Sequence, residues 1–329
     1  MEAVGIIANP AASKDIRRLV AHGRVVPDWE KANIVRRVLL GMEAVGLRRA
    51  VVLPDPSRLC QRARDDAQLS LELEVLDMPV FGSTEDSVRA ATMMEEMGVG
   101  CLVTLGGDGT NRAVAKGCGR VPLVPISTGT NNVFPTMIEG TLAGLAAGVV
   151  ARGLVDPDKV TVTSKRIEVY LDGNYRDLAL VDLAVSKERF VAARAIWDMD
   201  TIHEVFLTRA EPASIGLSSI GARLHPLSIA DDAGLYFRPG NGGTAVVAPV
   251  APGMVRAVPI EEWRVLPLGE RVKVNRSSCT IALDGEREFS VLPGQDVEVV
   301  VNNNGPRVVM LEDVLREATN QGAFTAPAN

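Results

Sequence analysis

Cysteine is scarce in this chain of 329 residues, and the four present, Cys60, Cys101, Cys118 and Cys279, lie far apart. None has the paired spacing of a zinc site or a disulfide framework, which fits a reducing, cytoplasmic setting. Histidine is scarcer still. His22, His203 and His225 share no metal-ligand spacing, so no protein metal site is expected. Positive charge is not in excess either: the formal net charge is -6, with acids and bases mixed along the chain. No broad cationic face is therefore available for the phosphates of DNA or RNA, and a nucleic-acid partner is disfavoured. Long apolar runs are also missing. The richest, residues 142–151, is half of the roughly 20 residues that cross a bilayer, and residues 1–10 lack the basic segment of a secretion signal. No membrane span, internal repeat or low-complexity segment is expected beyond a frayed tail at 325–329.

What is present is ordinary globular material, 47% hydrophobic and 23% charged, in a length that predicts two domains. The first half alternates short apolar runs with amphipathic segments, the pattern of a parallel sheet flanked by helices. Strands are predicted at 4–8, 50–53, 73–77, 101–105 and 123–126. Helices are predicted at 28–45, where Asp28 is a candidate cap and Gly46 the stop, and from Ser83 or Thr84 to Gly98. After Gly153 the texture turns to antiparallel hairpins. Segments 165–171 and 177–185 flank Asp172-Gly173-Asn174, and segments 280–283 and 288–292 flank Asp284-Gly285. Residues 239–244 and 249–253 read as glycine- and proline-rich loops. The expected division is an α/β domain at 1–152, a β-rich domain at 153–310, and a closing helix and tail at 311–329.

The chemistry concentrates in Leu105-Gly106-Gly107-Asp108-Gly109-Thr110-Asn111, between a buried strand and a helical stretch. Glycines without Cβ atoms let backbone amides approach phosphate oxygens, and the start of the following helix favours negative charge. Asp108 is then placed to accept a hydroxyl proton or to help hold magnesium. The same letters also make a tight turn whose aspartate caps its own backbone. Ser127-Thr128-Gly129-Thr130-Asn131-Asn132 follows the next predicted strand, and Asn9-Pro10 follows the first, trailed by Ser13-Lys14-Asp15-Ile16-Arg17-Arg18. Ligands of open parallel sheets bind beyond the carboxyl ends of the strands, so polar loops at three strand ends converge on one phosphate pocket.

Together these motifs resemble the superfamily that joins NAD kinases with diacylglycerol and sphingosine kinases, nearest to its acetoin catabolism protein X branch. The opening Asn9-Pro10 with Lys14-Asp15-Ile16-Arg17 is similar to that branch, as are Ser218-Ser219-Ile220-Gly221 and Ala248-Pro249-Val250-Ala251-Pro252-Gly253. The resemblance implies a NAD kinase-like two-domain fold with an ATP and Mg2+ site in the cleft, a homo-oligomer, Asp108 as proton acceptor, and Thr130 and Asn131 on the nucleotide phosphates. It also marks departures. Where NAD kinases carry an asparagine-acid pair to hold the dinucleotide, this chain has Val181-Asp182, which keeps the acid and loses the amide. Asp284-Gly285-Glu286 is more like the lipid kinases, whose glutamate acts as base, although Asp-Gly is also the preferred hairpin turn. Asp182 and Glu286 are therefore the candidate acceptor-binding residues. Asp231-Asp232 and Gly240-Asn241-Gly242-Gly243-Thr244 read as a solvated acidic pair and a flexible hairpin. The resulting expectation is an ATP-dependent kinase for a small soluble alcohol with NAD as leading acceptor; a lipid or other non-NAD kinase and a catalytically inactive nucleotide-binding regulator are the alternatives.

Overall fold

The computed structural model describes residues 2–10, 12, 22–23, 25–67, 69–188, 199–276 and 278–325. Its first layer is a seven-stranded sheet in the order β3-β2-β1-β4-β5-β17-β6. Strands β1 (Val4–Ala8), β2 (Arg49–Val52), β3 (Glu72–Val75), β4 (Cys101–Gly106) and β5 (Leu123–Ser127) are mutually parallel. β1 is apolar throughout, β4 is so except for Thr104, and both are buried on both faces, as central parallel strands covered by helices must be.

The sheet does not stop at the expected domain boundary. Residues β6 (Thr161–Thr163) and β17 (Arg307–Val309), from beyond position 153, complete it: β17 pairs parallel with β5, and β6 pairs antiparallel with β17.

Helices α1 (Asp28–Ala44), α2 (Leu59–Ala67), α3 (Thr84–Glu96), α4 (Asp108–Ala115), α5 (Gly140–Ala151) and the short α6 (Pro157–Val160) connect these strands. In α1 the buried residues Ala32, Val35, Val38, Leu39 and Met42 recur at helical spacing, as its sequence predicts. Its N-cap is Pro27 and not Asp28, which stands in the first turn, where a carboxylate favours the exposed amides. At the other end Gly46 adopts φ +80°. Helix α3 begins as expected after Ser83, whose amide donates to the Asp86 carboxylate at 3.0 Å.

The run at 142–151 is the buried helix α5. Its glycines recur every fourth residue and face α1: a Cβ at Gly144 would overlap the Val38 carbonyl oxygen, and one at Gly148 would overlap the Val45 side chain.

The second part is antiparallel. Strands β7 (Arg166–Leu171), β8 (Asn174–Ala179), β13 (Arg271–Lys273) and β16 (Val297–Asn302) form a four-stranded sheet in the order β13-β16-β7-β8. Strands β9 (Asp182–Ser186), β10 (Ile202–Leu207), β11 (Ala233–Ala251), β12 (Met254–Pro267), β14 (Cys279–Leu283) and β15 (Glu286–Val291) form a six-stranded one in the order β12-β11-β10-β9-β14-β15.

Two expectations need correction here. Residues 177–185 are not one strand: β8 ends at Ala179, and the chain crosses to the other sheet at β9. Segments 239–244 and 249–253 are not free loops either, because β11 runs to Ala251. Pro239 and Thr244 both oppose Ile260, so residues 240–243 are an excursion within a long hairpin with β12. Helix α7 (Leu217–Leu224) packs on this hairpin through Leu217, Ile220 and Ala222. Helix α8 (Leu311–Asn320) returns to the first layer, where Val314 and Ala318 join the core of α1 and α5.

Candidate functional site

Strand order places the site. From β1 the chain proceeds to β2 and β3 on one side, then crosses to β4 and β5 on the other, so the topological switch lies between β1 and β4. A crevice opens at such a point beyond the carboxyl ends of the strands. Here it is a cavity of about 420 Å³, lined by Asn9, Pro10, Gly107, Asp108, Gly109, Thr110, Thr128, Gly129, Thr130, Asn131, Asn132 and Glu286 together with residues from further loops.

The three loops are tied to one another before any ligand arrives. The Asn9 amide N–H donates to the Leu105 carbonyl at 3.0 Å, and its Nδ2 donates to Thr110 Oγ1 at 2.9 Å. Thr110 lies so close over Gly106 that a Cβ there would stand 2.5 Å from Oγ1. Asn111 is fully buried beneath the loop; its Nδ2 donates to the Gly107 carbonyl at 2.9 Å, and its Oδ1 accepts from Thr104 at 2.6 Å. Asn132 Nδ2 donates to Ser127 Oγ at 2.8 Å, closing the third loop on itself. Gly106, Asn111 and Ser127 thus support the site from behind, outside the cavity lining.

Several features point at a ligand. A Cβ on Gly109 would have only Glu286 Oε1, at 4.0 Å, before it, so the space in front of this first turn of α4 is open. Thr128 Oγ1 and Asn131 Oδ1 both line the cavity and are buried with no hydrogen-bond partner among the described residues. Buried polar atoms are rarely left in that state without a ligand or water. Amides at the start of a helix, glycines that admit close approach and an unpaired hydroxyl form a cradle that fits phosphate oxygens.

The charge of the cavity is lopsided. Asp55, Asp86, Asp108, Asp284 and Glu286 line it against a single described cation, Arg112. Four of the five carboxylates are spent on backbone amides. Asp55 accepts from Leu59 at 3.1 Å, and burial pushes its carboxyl above the usual range against that bond. Asp86 accepts from Phe81 and Ser83, each at 3.0 Å. Asp284 accepts from Leu180, Val181 and Asp182 at 3.1, 2.8 and 3.3 Å, and burial raises its pKa against the Arg112 charge and these amides.

Asp108 is the fourth. Its Oδ1 accepts from Val133 at 3.1 Å and Phe134 at 2.8 Å, and its Oδ2 stands 3.2 Å from the Val133 amide. Both oxygens of Asp108 thus accept from amides that clamp the β4 loop to the β5 loop. Glu286 alone among these five makes no side-chain hydrogen bond or ion pair among the described residues, and it faces the cavity opposite Gly109.

Two family models match the chain: ATP-NAD kinase N-terminal domain over residues 4–154, and acetoin catabolism protein X C-terminal domain over residues 165–304. The acetoin catabolism protein X of Cupriavidus necator is 39% identical over 330 aligned residues, covering 96% of this chain and 92% of that protein. The chain belongs to the acetoin catabolism protein X family. A more distant relative, the NAD kinase of Methanosarcina acetivorans, is 25% identical over 234 residues, 67% of this chain and 76% of that protein. The fold is correspondingly NAD kinase-like in two parts. The first match spans β1 to α5, and the second spans nearly all of the two antiparallel sheets.

Within this family member, Asp182 stands apart from the other expected site residues. It lies outside the cavity lining, and its Oδ1 accepts from the Gly285 amide at 3.2 Å. The stretch 13–18 lies outside the described residues. Asp231 caps the Ser228 amide at 2.6 Å, a structural use for one member of the acidic pair. The sequence reading missed Leu53 to Pro56 after β2, Val80, Gly82 to Thr84, Asp86 and Ser87 before and within α3, Arg112, Pro252 and Asp284, all of which line the cavity. Pro54-Asp55-Pro56 carried a usable signal, being a further polar strand end in the same parallel sheet. Pro252 did not, because only the folding of the long hairpin brings it near, where its carbonyl accepts from the His22 amide at 3.2 Å.

Proposed function

We propose that this protein transfers the γ-phosphoryl group of ATP to the hydroxyl of a small acceptor, with NAD the first acceptor to try. One observation carries the reading: Glu286, the cavity's uncommitted carboxylate, faces a glycine-floored cradle that holds the unpartnered Thr128 hydroxyl and Asn131 amide. The triphosphate lies against residues 107–110 and 128–131. There the amides at the start of α4 and the Thr128 hydroxyl donate to its oxygens, and the Asn131 amide group, turned over, adds its NH2. Glu286 accepts the hydroxyl proton as the acceptor oxygen bonds to the γ-phosphorus; the bond to the β-phosphate bridging oxygen breaks, and ADP leaves. Asp108 holds the two phosphate loops at fixed separation, so catalysis is mainly positioning.

The described residues contain no group of three or more metal-ligating side chains. That fits magnesium, which is usually held by substrate phosphates and one or two carboxylates. Bound with the triphosphate it would neutralise charge beside the five cavity acids, with Asp108 as a protein contact. NAD is favoured by the relative that bears the name NAD kinase and opposed by Val181. Acetoin, itself an alcohol, is the second acceptor to test. The experiment incubates the full chain with Mg2+, ATP and each acceptor, beside Glu286→Gln. Phosphorylated acceptor that forms with wild type and is lost with the variant is the expected result. Saturable ATP binding without turnover on any alcohol would instead make the protein a nucleotide-binding regulator, a reading that the full engagement of Asp108 favours.

A further inference from the structure

Arg112 follows Asp108 by one helical turn and lies on the same side of α4. Its side chain is 5% exposed and faces carboxylates from both antiparallel sheets. One terminal nitrogen bonds Glu288 on β15, the other stands 3.4 Å from Asp177 on β8, and Nε stands 3.9 Å from Asp284 Oδ2 in the turn before β15. Asp284 in turn gathers the amides of Leu180, Val181 and Asp182, where the chain crosses between the two sheets, and Gly285 returns a bond to Asp182. A single guanidinium thus joins a helix of the seven-stranded sheet to the other two sheets.

We propose that Arg112 and Asp284 are a positioning pair that sets the separation of the two cavity walls, the helix beginning at Asp108 and the turn presenting Glu286. The proposal rests on the phosphotransfer reading of this cavity. Stability alone does not account for such a pair, since apolar residues of similar volume often replace buried ion pairs at no loss. Its placement does: Asp284 precedes Glu286 by two residues, and Arg112 is the cavity's only described cation. Without the guanidinium, Asp284 and Glu288 lose their shared cation while Asp177 keeps Lys116 at 2.7 Å, and the like charges of Asp284 and Glu288 drive the walls apart.

Hydrogen exchange of the full chain, followed by mass spectrometry, tests the pair without needing turnover. In Arg112→Met the amides of residues 180–182 should exchange at least about tenfold faster, equivalent to about 1.4 kcal/mol of lost protection. Peptides from α1 and α5 should be unchanged. Arg112→Lys should recover part of the protection, and Glu288→Gln, which changes only the more exposed partner, supplies a milder variant if Arg112→Met does not fold. In the same variants kcat should fall at least tenfold while the Kd for Mg·ATP stays within about twofold. Unchanged exchange at 180–182, or acceleration spread evenly over all peptides, would overturn the proposal. Absence of turnover in wild type on every acceptor would refute the kinase reading and leave the exchange result to decide the pair.

Discussion

At Glu286 and Asp108, two carboxylates of one cavity have been given different work by their neighbours. Asp108 accepts from two amides of the following loop, whereas Glu286 accepts from none. Replacing Glu286 with glutamine should therefore lower turnover by about 10² to 10⁴. Calorimetric titration should find its Kd for Mg·ATP nearly unchanged, because no amide is orphaned. Asp284→Asn is a structural change. It keeps one oxygen for the three amides but sets an NH2 toward the Leu180 amide and the Arg112 guanidinium and removes that cation's buried counter-charge, so urea unfolding should show a loss of about 3 kcal/mol. Little of this was legible in the sequence. Asp-Gly announces a hairpin turn, and Asp284 and Gly285 do adopt the φ values of +50° and +79° that the turn needs. The amides that Asp284 collects lie about a hundred residues away in the chain, beyond the reach of any local pattern.

Among the elements, those with local causes were readable and those set by a partner were not. The periodicity of α1, the apolar runs of β1 and β4 and the cap of α3 are written in consecutive residues. The break between β8 and β9 is not, because it depends on Asp284. Nor is the excursion at 240–243, whose shape is fixed by the opposing Ile260. The glycines of α5 gain their meaning only beside α1, where their missing side chains let the two backbones meet. Gly144→Ala puts a methyl group onto the Val38 carbonyl and should destabilise the protein by about 1–3 kcal/mol, measurable by urea unfolding.

Over the whole molecule, the seven-stranded and six-stranded sheets meet at a cavity whose position follows from the strand order of the first. The parallel sheet and the β-rich second part could be read from the alternation of patterns; the contribution of β6 and β17 to the first sheet could not, since short edge strands carry little pattern of their own. Stability should also carry a pH signature away from the cavity. Glu204 is fully buried on β10, and its Oε1 has no hydrogen-bond partner among the described residues, His203 Nε2 standing 3.8 Å away. Burial raises its pKa above the ordinary 4.5, so above that pH the folded state holds a proton that the unfolded chain has released. Stability accordingly falls as pH rises through the raised value. Glu204→Gln should be more stable than wild type at pH 7.5, and the difference should vanish below about pH 4 in urea titrations.

The proposed function requires a nucleoside triphosphate to occupy the open space before Gly109. Calorimetric titration of Mg·ATP into wild type and Gly109→Val tests this most directly, because the added side chain enters the cradle while the backbone there needs no glycine. Saturable wild-type binding, weakened at least about tenfold in a variant that melts at nearly the same temperature, is the predicted result. Equal affinity in both proteins, or no binding to wild type, would contradict it.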